Sequence, residues 1–207
     1  MRLILVDRSE NNRRQFWPLT LNRPIWELRC GMTSLGEKLQ AKVAAQDVAY
    51  FLPDYLAELY REKAERPVND MTALQGQDLF LVDARVKADR LEVPAAGPSE
   101  VGLDEQGEVL YARIRQNDLK KVSGNDIDAF LAAAKTALPT VKASLPTWQY
   151  TWDVMLASPH QITADFAATG RHGIEGIVEE PSALRGSKND VFVAPGVRIG
   201  RGAKIQN

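Results

Sequence analysis

The sequence predicts an α/β fold, a mostly parallel sheet with flanking helices, running on into the start of a parallel β-helix. Three observations predict it. Leu3–Val6 ends at Asp7 and Leu79–Val82 ends at Asp83, and such short, wholly apolar runs have the composition of buried parallel strands. Helix signals alternate with these runs, as in three-layer α/β proteins. The last seventeen residues repeat in sixes, with aliphatic residues at Val193, Ile199 and Ile205 and small or aliphatic Val197 and Ala203 four places after the first two. A six-residue period with one large aliphatic per period builds one face of a triangular coil. Val193, Ile199 and Ile205 are expected to point inward on successive coils of one prism. An edge strand with a glycine-rich turn is the alternative, and it stays open at this point.

The elements follow in order. Leu3–Val6 is the first strand, and Arg8–Gln15 has no periodicity and is expected to be a loop. Ser34-Leu35-Gly36-Glu37 is a capping box opening a helix to about Gln46, with Leu35, Leu39 and Val43 on one face. Val48–Leu52 is a second strand, and Pro53 suits the first turn of a helix to about Glu65. Leu79–Val82 is the third strand. Two alternating runs from Val101 to Ile114 flank Asp104-Glu105-Gln106-Gly107, a hairpin signal. Asn125–Asp128 caps a helix that Pro139 terminates. Trp148 to Thr169 reads as helical with a break at Ser158-Pro159, and Trp148 and Trp152 are expected to share its packed face. Glycines 170, 173 and 176 with Pro181 read as a linker. The expected domains are 1–180 and 181–207.

Composition narrows the function classes. The formal charge is −1, with both signs mixed along the chain, which excludes the basic footprint of a nucleic-acid binder. The single cysteine, Cys30, excludes an internal disulfide framework and points to a reducing compartment. No stretch approaches a membrane span, and the expected localisation is cytoplasmic.

Ligands in open α/β sheets sit beyond the carboxyl ends of the strands. Asp7 and Asp83 stand at such ends, where a carboxylate can hold a divalent metal that bridges phosphates. Arg13, Arg14, Arg23 and Arg29 crowd the stretch after the first strand, where guanidinium forks can bind phosphate. Each of these residues has a plain structural alternative, a turn or cap for the aspartates and a solvated ion pair for the arginines. Asp165, in the last helix, is a further carboxylate with a surface position as its alternative.

Pro18-Leu19-Thr20, Arg23-Pro24 and Leu28-Arg29-x-Gly31 resemble the opening of sugar-1-phosphate nucleotidyltransferases. The branch resembled is that of bifunctional N-acetylglucosamine-1-phosphate uridyltransferase/glucosamine-1-phosphate acetyltransferase. Leu79–Arg85 resembles its central strand, Trp152-Asp153 and Ile162–Phe166 its later helical signature, and the hexapeptide tail its left-handed β-helix. The resemblance implies a Rossmann-like, GT-A-like fold. It also implies transfer of a nucleotidyl group, UMP from UTP, to a sugar-1-phosphate such as N-acetylglucosamine-1-phosphate, with release of pyrophosphate. Mg²⁺ would be held by Asp83 and Asp165, and phosphates met by Arg13, Arg14, Arg23, Arg29 and Lys38. One departure bears on this: the stretch Asp7–Gln15 has no glycine where the family has a glycine-rich loop. Backbone amides cradle phosphate best where no side chain intrudes.

Two readings of function result. The chain is an enzyme whose partners are a nucleoside triphosphate and a sugar-1-phosphate, with no nucleic acid or membrane. Alternatively it is a non-catalytic nucleotidyltransferase-fold domain that scaffolds or regulates a hexapeptide acyltransferase. The resembled β-helix proteins are trimers. The repeat stops at Asn207, so acyltransfer is expected to be absent and this chain to be a monomer or weak oligomer, with the trimer a property of a longer form.

Overall fold

Along β1 (Arg2–Val6) the side chains alternate between two apolar layers, Leu3 and Leu5 in one and Ile4 in the other. A strand covered on both faces has no polar side to show, which is why it reads as an unbroken apolar run. The computed structural model describes residues 1–206, and Asn207 lies outside them. After β1 come α1 (Glu10–Arg14), a small hairpin of β2 (Arg29–Cys30) and β3 (Thr33–Ser34), α2 (Leu35–Lys42), β4 (Asp47–Phe51) and α3 (Asp54–Lys63). Then follow β5 (Leu79–Asp83), the hairpin of β6 (Glu100–Leu103) and β7 (Val109–Ile114), α4 (Ile127–Ala137), β8 (Thr140–Lys142) and α5 (Thr151–Thr169).

The sheet order is β4-β1-β5-β7-β6-β8. β4, β1 and β5 are parallel, β7 is antiparallel to both neighbours, and β6 and β8 run parallel. Leu35, Leu39, Leu56 and Ala57 from α2 and α3 pack in the layer with Leu3 and Phe80. Ile127, Phe130 and Ala134 from α4 pack in the other, with Ile4 and Leu81. Helices therefore cover both faces of a mostly parallel sheet, as the alternating pattern predicts. Among the described residues no helix is long and apolar enough to cross a membrane.

The local signals explain the boundaries. Ser34 Oγ accepts from the Glu37 N–H (3.2 Å) while the Glu37 carboxylate accepts from the Ser34 N–H (2.6 Å), the reciprocal capping box. In the β6–β7 turn Asp104 Oδ1 accepts from the Gln106 and Glu108 N–H groups (2.9 and 2.8 Å), and Gly107 takes φ = +79°.

Three expectations are corrected. Arg8–Gln15 is not a plain loop. Ser9 caps α1 by accepting from the Asn12 N–H (3.4 Å), and Arg14 pairs with Glu10 one turn back. Trp148 and Trp152 do not share a helix face, because α5 begins only at Thr151. The Trp148 N–H donates to the Arg85 carbonyl (2.8 Å) and its ring is buried, whereas Trp152 is exposed and stacks on Tyr150 at 4.4 Å. The helix passes through Pro159 rather than breaking there. One proline removes one helix hydrogen bond and kinks a long helix without having to end it.

By contacts the chain divides into Met1–Pro159 and the residues from His160 on, with α5 spanning the division. Among the described residues the second unit holds three pairs of short parallel strands. β9 (Gly173–Ile174) pairs with β12 (Phe192–Val193), β10 (Ile177–Val178) with β13 (Arg198–Ile199), and β11 (Ala183–Arg185) with β14 (Lys204–Gln206). Pairing reaches back to Gly173, inside the stretch expected to be linker. Val193, Ile199 and Ile205 do not stack on one another. Each sits in a different pair, opposite Ile174, Val178 and Leu184 respectively. A step of six residues carries the chain from one pair to the next, so the residue that stacks on Val193 lies about three steps away, not one.

Candidate active site

Val6 and Asp83 are register partners in adjacent parallel strands, so the chain places Asp7 and Asp83 side by side at the carboxyl edge of the sheet. Beyond them lies a cleft of about 270 Å³. Its walls come from the β1–α1 connection (Asp7, Arg8, Ser9, Asn12), the end of β5 (Asp83, Arg85), the β6–β7 turn (Gly107, Glu108, Tyr111) and α4 (Asp128, Lys135).

Asp7 is almost fully buried. Its Oδ2 pairs with Arg13 and accepts from the Ile25 N–H at 2.8 Å. Arg13 is buried as well. Its guanidinium donates to the carbonyls of Thr20 and Arg23 and to the Tyr55 hydroxyl (3.1 Å), tying the Pro18–Arg23 loop to the strand end. Burial pushes the Asp7 carboxyl up to about 6, because desolvation outweighs the pull of Arg13 and the Ile25 amide, and Asp83 adds to the rise. The folded pKa thus lies above the unfolded value of 3.8, and the native state holds the extra proton between the two. This group's contribution to stability is complete below about 3.8 and is lost as pH rises through about 6. Denaturant titrations across that window are expected to show this falling component in the wild type and to lose it in Asp7→Asn.

Asp83 is bound by its near neighbour. Its Oδ1 accepts from the Arg85 backbone N–H (2.8 Å), and the two oxygens take the Arg85 Nε and Nη2 at 3.1, 3.3 and 2.9 Å. Arg85 Nη2 also reaches Glu108 (3.1 Å), which accepts from Asn12 as well (3.1 Å). Burial works against the guanidinium charge, but Asp83 and Glu108 more than offset it and the Arg85 pKa rises. Arg8 donates to Asp54 (2.9 Å) and Asp128 (3.4 Å), and Lys135 Nζ donates to the Gly107 carbonyl (2.7 Å). Arg8, Arg85 and Lys135 therefore bring three cations to a cleft at the strand ends.

The carboxylates can be tested against Mg²⁺. This ion takes near-octahedral oxygen ligands, usually one or two carboxylates with waters and phosphates. Asp7 is already neutralised by Arg13, and both Asp83 oxygens are held by Arg85. Among the described residues no group of three or more His, Cys, Asp or Glu side chains could hold an ion. As arranged, the donor set fits a guanidinium and not Mg²⁺, which could reach Asp83 only by displacing Arg85.

The structure scatters the expected site residues. Asp83 lines the cleft, with Asp7 beside it. Arg13 lies behind Asp7, and its ion pair orients that carboxylate. Arg14 is exposed, paired with Glu10 and set over the Trp17 ring at 5.6 Å. Arg23 is exposed and donates to Asn22, and Arg29, in the β2–β3 hairpin, donates to the Met32 carbonyl. Lys38 is on α2 and half-buried, and Asp165 is on the part of α5 in the second unit. Arg14, Arg23, Arg29 and Lys38 do not line the cleft. Crowding in sequence did not become convergence in space, because the chain after α1 turns away into two short 3-10 helices and the hairpin. The sequence reading missed Arg8, Arg85, Glu108 and Lys135. Arg85 alone carried a usable signal, two residues beyond a strand-ending aspartate, where a turn returns its side chain to the carboxylate.

A mostly parallel sheet with helices on both faces, and cations gathered with carboxylates beyond its strand ends, defines an open α/β protein with its candidate site where such sheets hold ligands. The chain belongs to the sugar nucleotidyl transferase family, whose family model matches residues 3–172. Among solved structures it is similar to a protein described as a glucose-1-phosphate thymidylyltransferase from Bacillus anthracis, crystallised with sucrose. The identity is 9%, the coverage 78% of this chain and 95% of that one, and the TM-score 0.44. It is also similar to molybdopterin-guanine dinucleotide biosynthesis protein A from Archaeoglobus fulgidus, at 9% identity, 77% and 98% coverage and a TM-score of 0.47. No curated protein matches the chain in sequence.

Proposed function

We propose that this chain transfers a nucleotidyl group from a nucleoside triphosphate to a sugar-1-phosphate and releases pyrophosphate. The observation that carries the reading is the strand-end cleft of Asp83, Arg85, Arg8 and Lys135 in a chain of this family. A phosphate oxygen of the sugar-1-phosphate attacks the α-phosphorus, and the bond from that phosphorus to the oxygen bridging the α- and β-phosphates breaks. The protein's share of such chemistry is in-line positioning and neutralisation of spreading negative charge. Arg8, Arg85 and Lys135 supply the cations. Arg13 acts as a positioning residue through Asp7 and the Thr20 and Arg23 carbonyls. UTP and N-acetylglucosamine-1-phosphate are the first substrates to try, on the resemblance of Pro18–Gly31 and Leu79–Arg85 to the uridyltransferase branch. Pyrophosphate release against a panel of nucleoside triphosphates and sugar-1-phosphates, each with and without Mg²⁺, is expected to single out one pair. No release with any pair sinks the enzyme reading.

The non-catalytic reading has one observation in its favour. The glycine-free stretch after β1 is the Ser9-capped helix α1, which presents side chains instead of a cradle of open amides.

For the second unit we propose two turns of a left-handed parallel β-helix, a cytoplasmic, trimer-forming module. Three parallel pairs joining residues 19 to 21 apart support it, as does the inward bias of Val193, which is buried. The handedness and the trimer come from the resemblance alone.

A further inference from the structure

We propose that Arg85 is the resident cation of the Asp83 carboxylate, filling the place expected for a divalent metal, and that phosphate binding in this cleft runs through Arg85 without Mg²⁺. The choice of nucleotide as the anion rests on the nucleotidyl transfer reading, whereas the exclusion of the metal from Asp83 does not.

The geometry carries it in three steps. First, both Asp83 oxygens are engaged by one guanidinium, at 2.9 to 3.3 Å, and Oδ1 also holds the Arg85 backbone N–H. A bidentate fork of this kind is among the stronger side-chain pairings, and arginine cannot release it by deprotonating. Second, the Arg85 backbone is pinned from the other side, since its carbonyl accepts from the Trp148 N–H at 2.8 Å. Glu108 adds a further acceptor for Nη2 at 3.1 Å. Displacing the guanidinium would leave a side chain that is 8% exposed without its main partner, and burying an unpaired charge is expensive. Third, among the described residues every hydrogen bond of the Arg85 side chain runs from Nε or Nη2, and its Nη1 donors are uncommitted in a residue that lines the cleft. A phosphate oxygen can add at Nη1 without breaking the fork. The neighbouring strand-end carboxylate, Asp7, has its own guanidinium in Arg13, so the pair of acids is already matched by two cations.

The test begins with the full chain and Mn²⁺ as a spectroscopic stand-in for Mg²⁺, with no nucleotide present. Electron paramagnetic resonance titration is expected to find no saturable site in the wild type. Arg85→Gln is expected to create one, and Asp83→Asn in that background to remove it. Saturable wild-type binding that Asp83→Asn abolishes overturns the proposal. Circular dichroism melts establish that each variant folds. If Arg85→Gln does not fold, Arg85→Lys, which keeps a charge but loses the fork, takes its place and is expected to admit Mn²⁺ too. A second arm measures UTP binding by calorimetry in EDTA and in Mg²⁺. Wild-type affinity is expected to agree within about threefold, and Arg85→Gln to weaken the EDTA value by about tenfold or more. UTP binding by the wild type that disappears on chelation overturns the phosphate role of Arg85 while leaving the nucleotidyl reading intact. No UTP binding under either condition overturns that role and the nucleotidyl reading together, and the Mn²⁺ result still decides the metal.

Discussion

Replacing Arg13 by methionine is expected to lower stability at neutral pH by about 3–5 kcal/mol, the usual cost of removing one partner of a buried ion pair. Arg13 is 2% exposed and its guanidinium joins Asp7 to the Thr20 and Arg23 carbonyls and the Tyr55 hydroxyl. Without it the Asp7 carboxylate is buried with only the Ile25 N–H for company, and the loop carbonyls lose their donor. For a chain of this size the melting temperature is expected to fall by about 10 °C or more. Two charges buried together seldom repay their own desolvation in full, and burial pushes the Asp7 carboxyl up even beside Arg13. A double replacement, Asp7→Leu with Arg13→Met, is therefore expected to recover about half the loss, short of all of it because the Ile25 N–H then lacks an acceptor. Urea melts of the two single variants and the double variant measure this. A double variant no more stable than Arg13→Met sinks the account of the pair.

Arg8→Ala is expected to weaken nucleoside triphosphate binding by about 1.5–3 kcal/mol, the scale of a hydrogen bond to a charged group. Arg8 sits just beyond β1 on the cleft wall, where it donates to the Leu52 carbonyl (3.0 Å), and the carboxylates that pair with its charge, Asp54 and Asp128, are exposed and hold it only loosely. A phosphate can compete for it. Arg14→Ala and Arg29→Ala are expected to change the affinity by less than about twofold, since both side chains are exposed and neither lines the cleft. Calorimetry on the three variants separates the cases. A larger loss in Arg29→Ala than in Arg8→Ala would move the phosphate site to the hairpin and away from the strand ends.

The expected strands and most helices were legible because their causes are local. Leu3–Val6 and Leu79–Val82 state their burial on both faces in four residues each, and Ser34 with Glu37 closes a cap within one turn. The six-residue period of the tail was legible for the same reason, as a repeated side-chain pattern. What it stacked on was not. Val193 meets Ile174, in a stretch whose glycines read as linker, because strand pairing is set between segments well apart in the chain and not by the six-residue period.

Asp83 at the sheet's carboxyl edge follows from sequence alone, since a charged residue directly after a buried apolar run has to fall where the strand leaves the core. The choice among the arginines does not follow. Arg13 and Arg14 are neighbours in a short polar stretch, yet one is buried against Asp7 and the other is in water. The turn of α1 sends consecutive side chains to different sides, and Thr20, Arg23 and Tyr55 close over only one of them. Arg85, Glu108 and Lys135 converge from a strand end, a hairpin and a helix. By itself the sequence determined the layers, the strand ends and the aspartate at the edge, because hydrophobic period and capping act over a few residues. The tertiary structure alone decided which cations meet that aspartate, because ion pairing is settled by distances between segments that the chain separates.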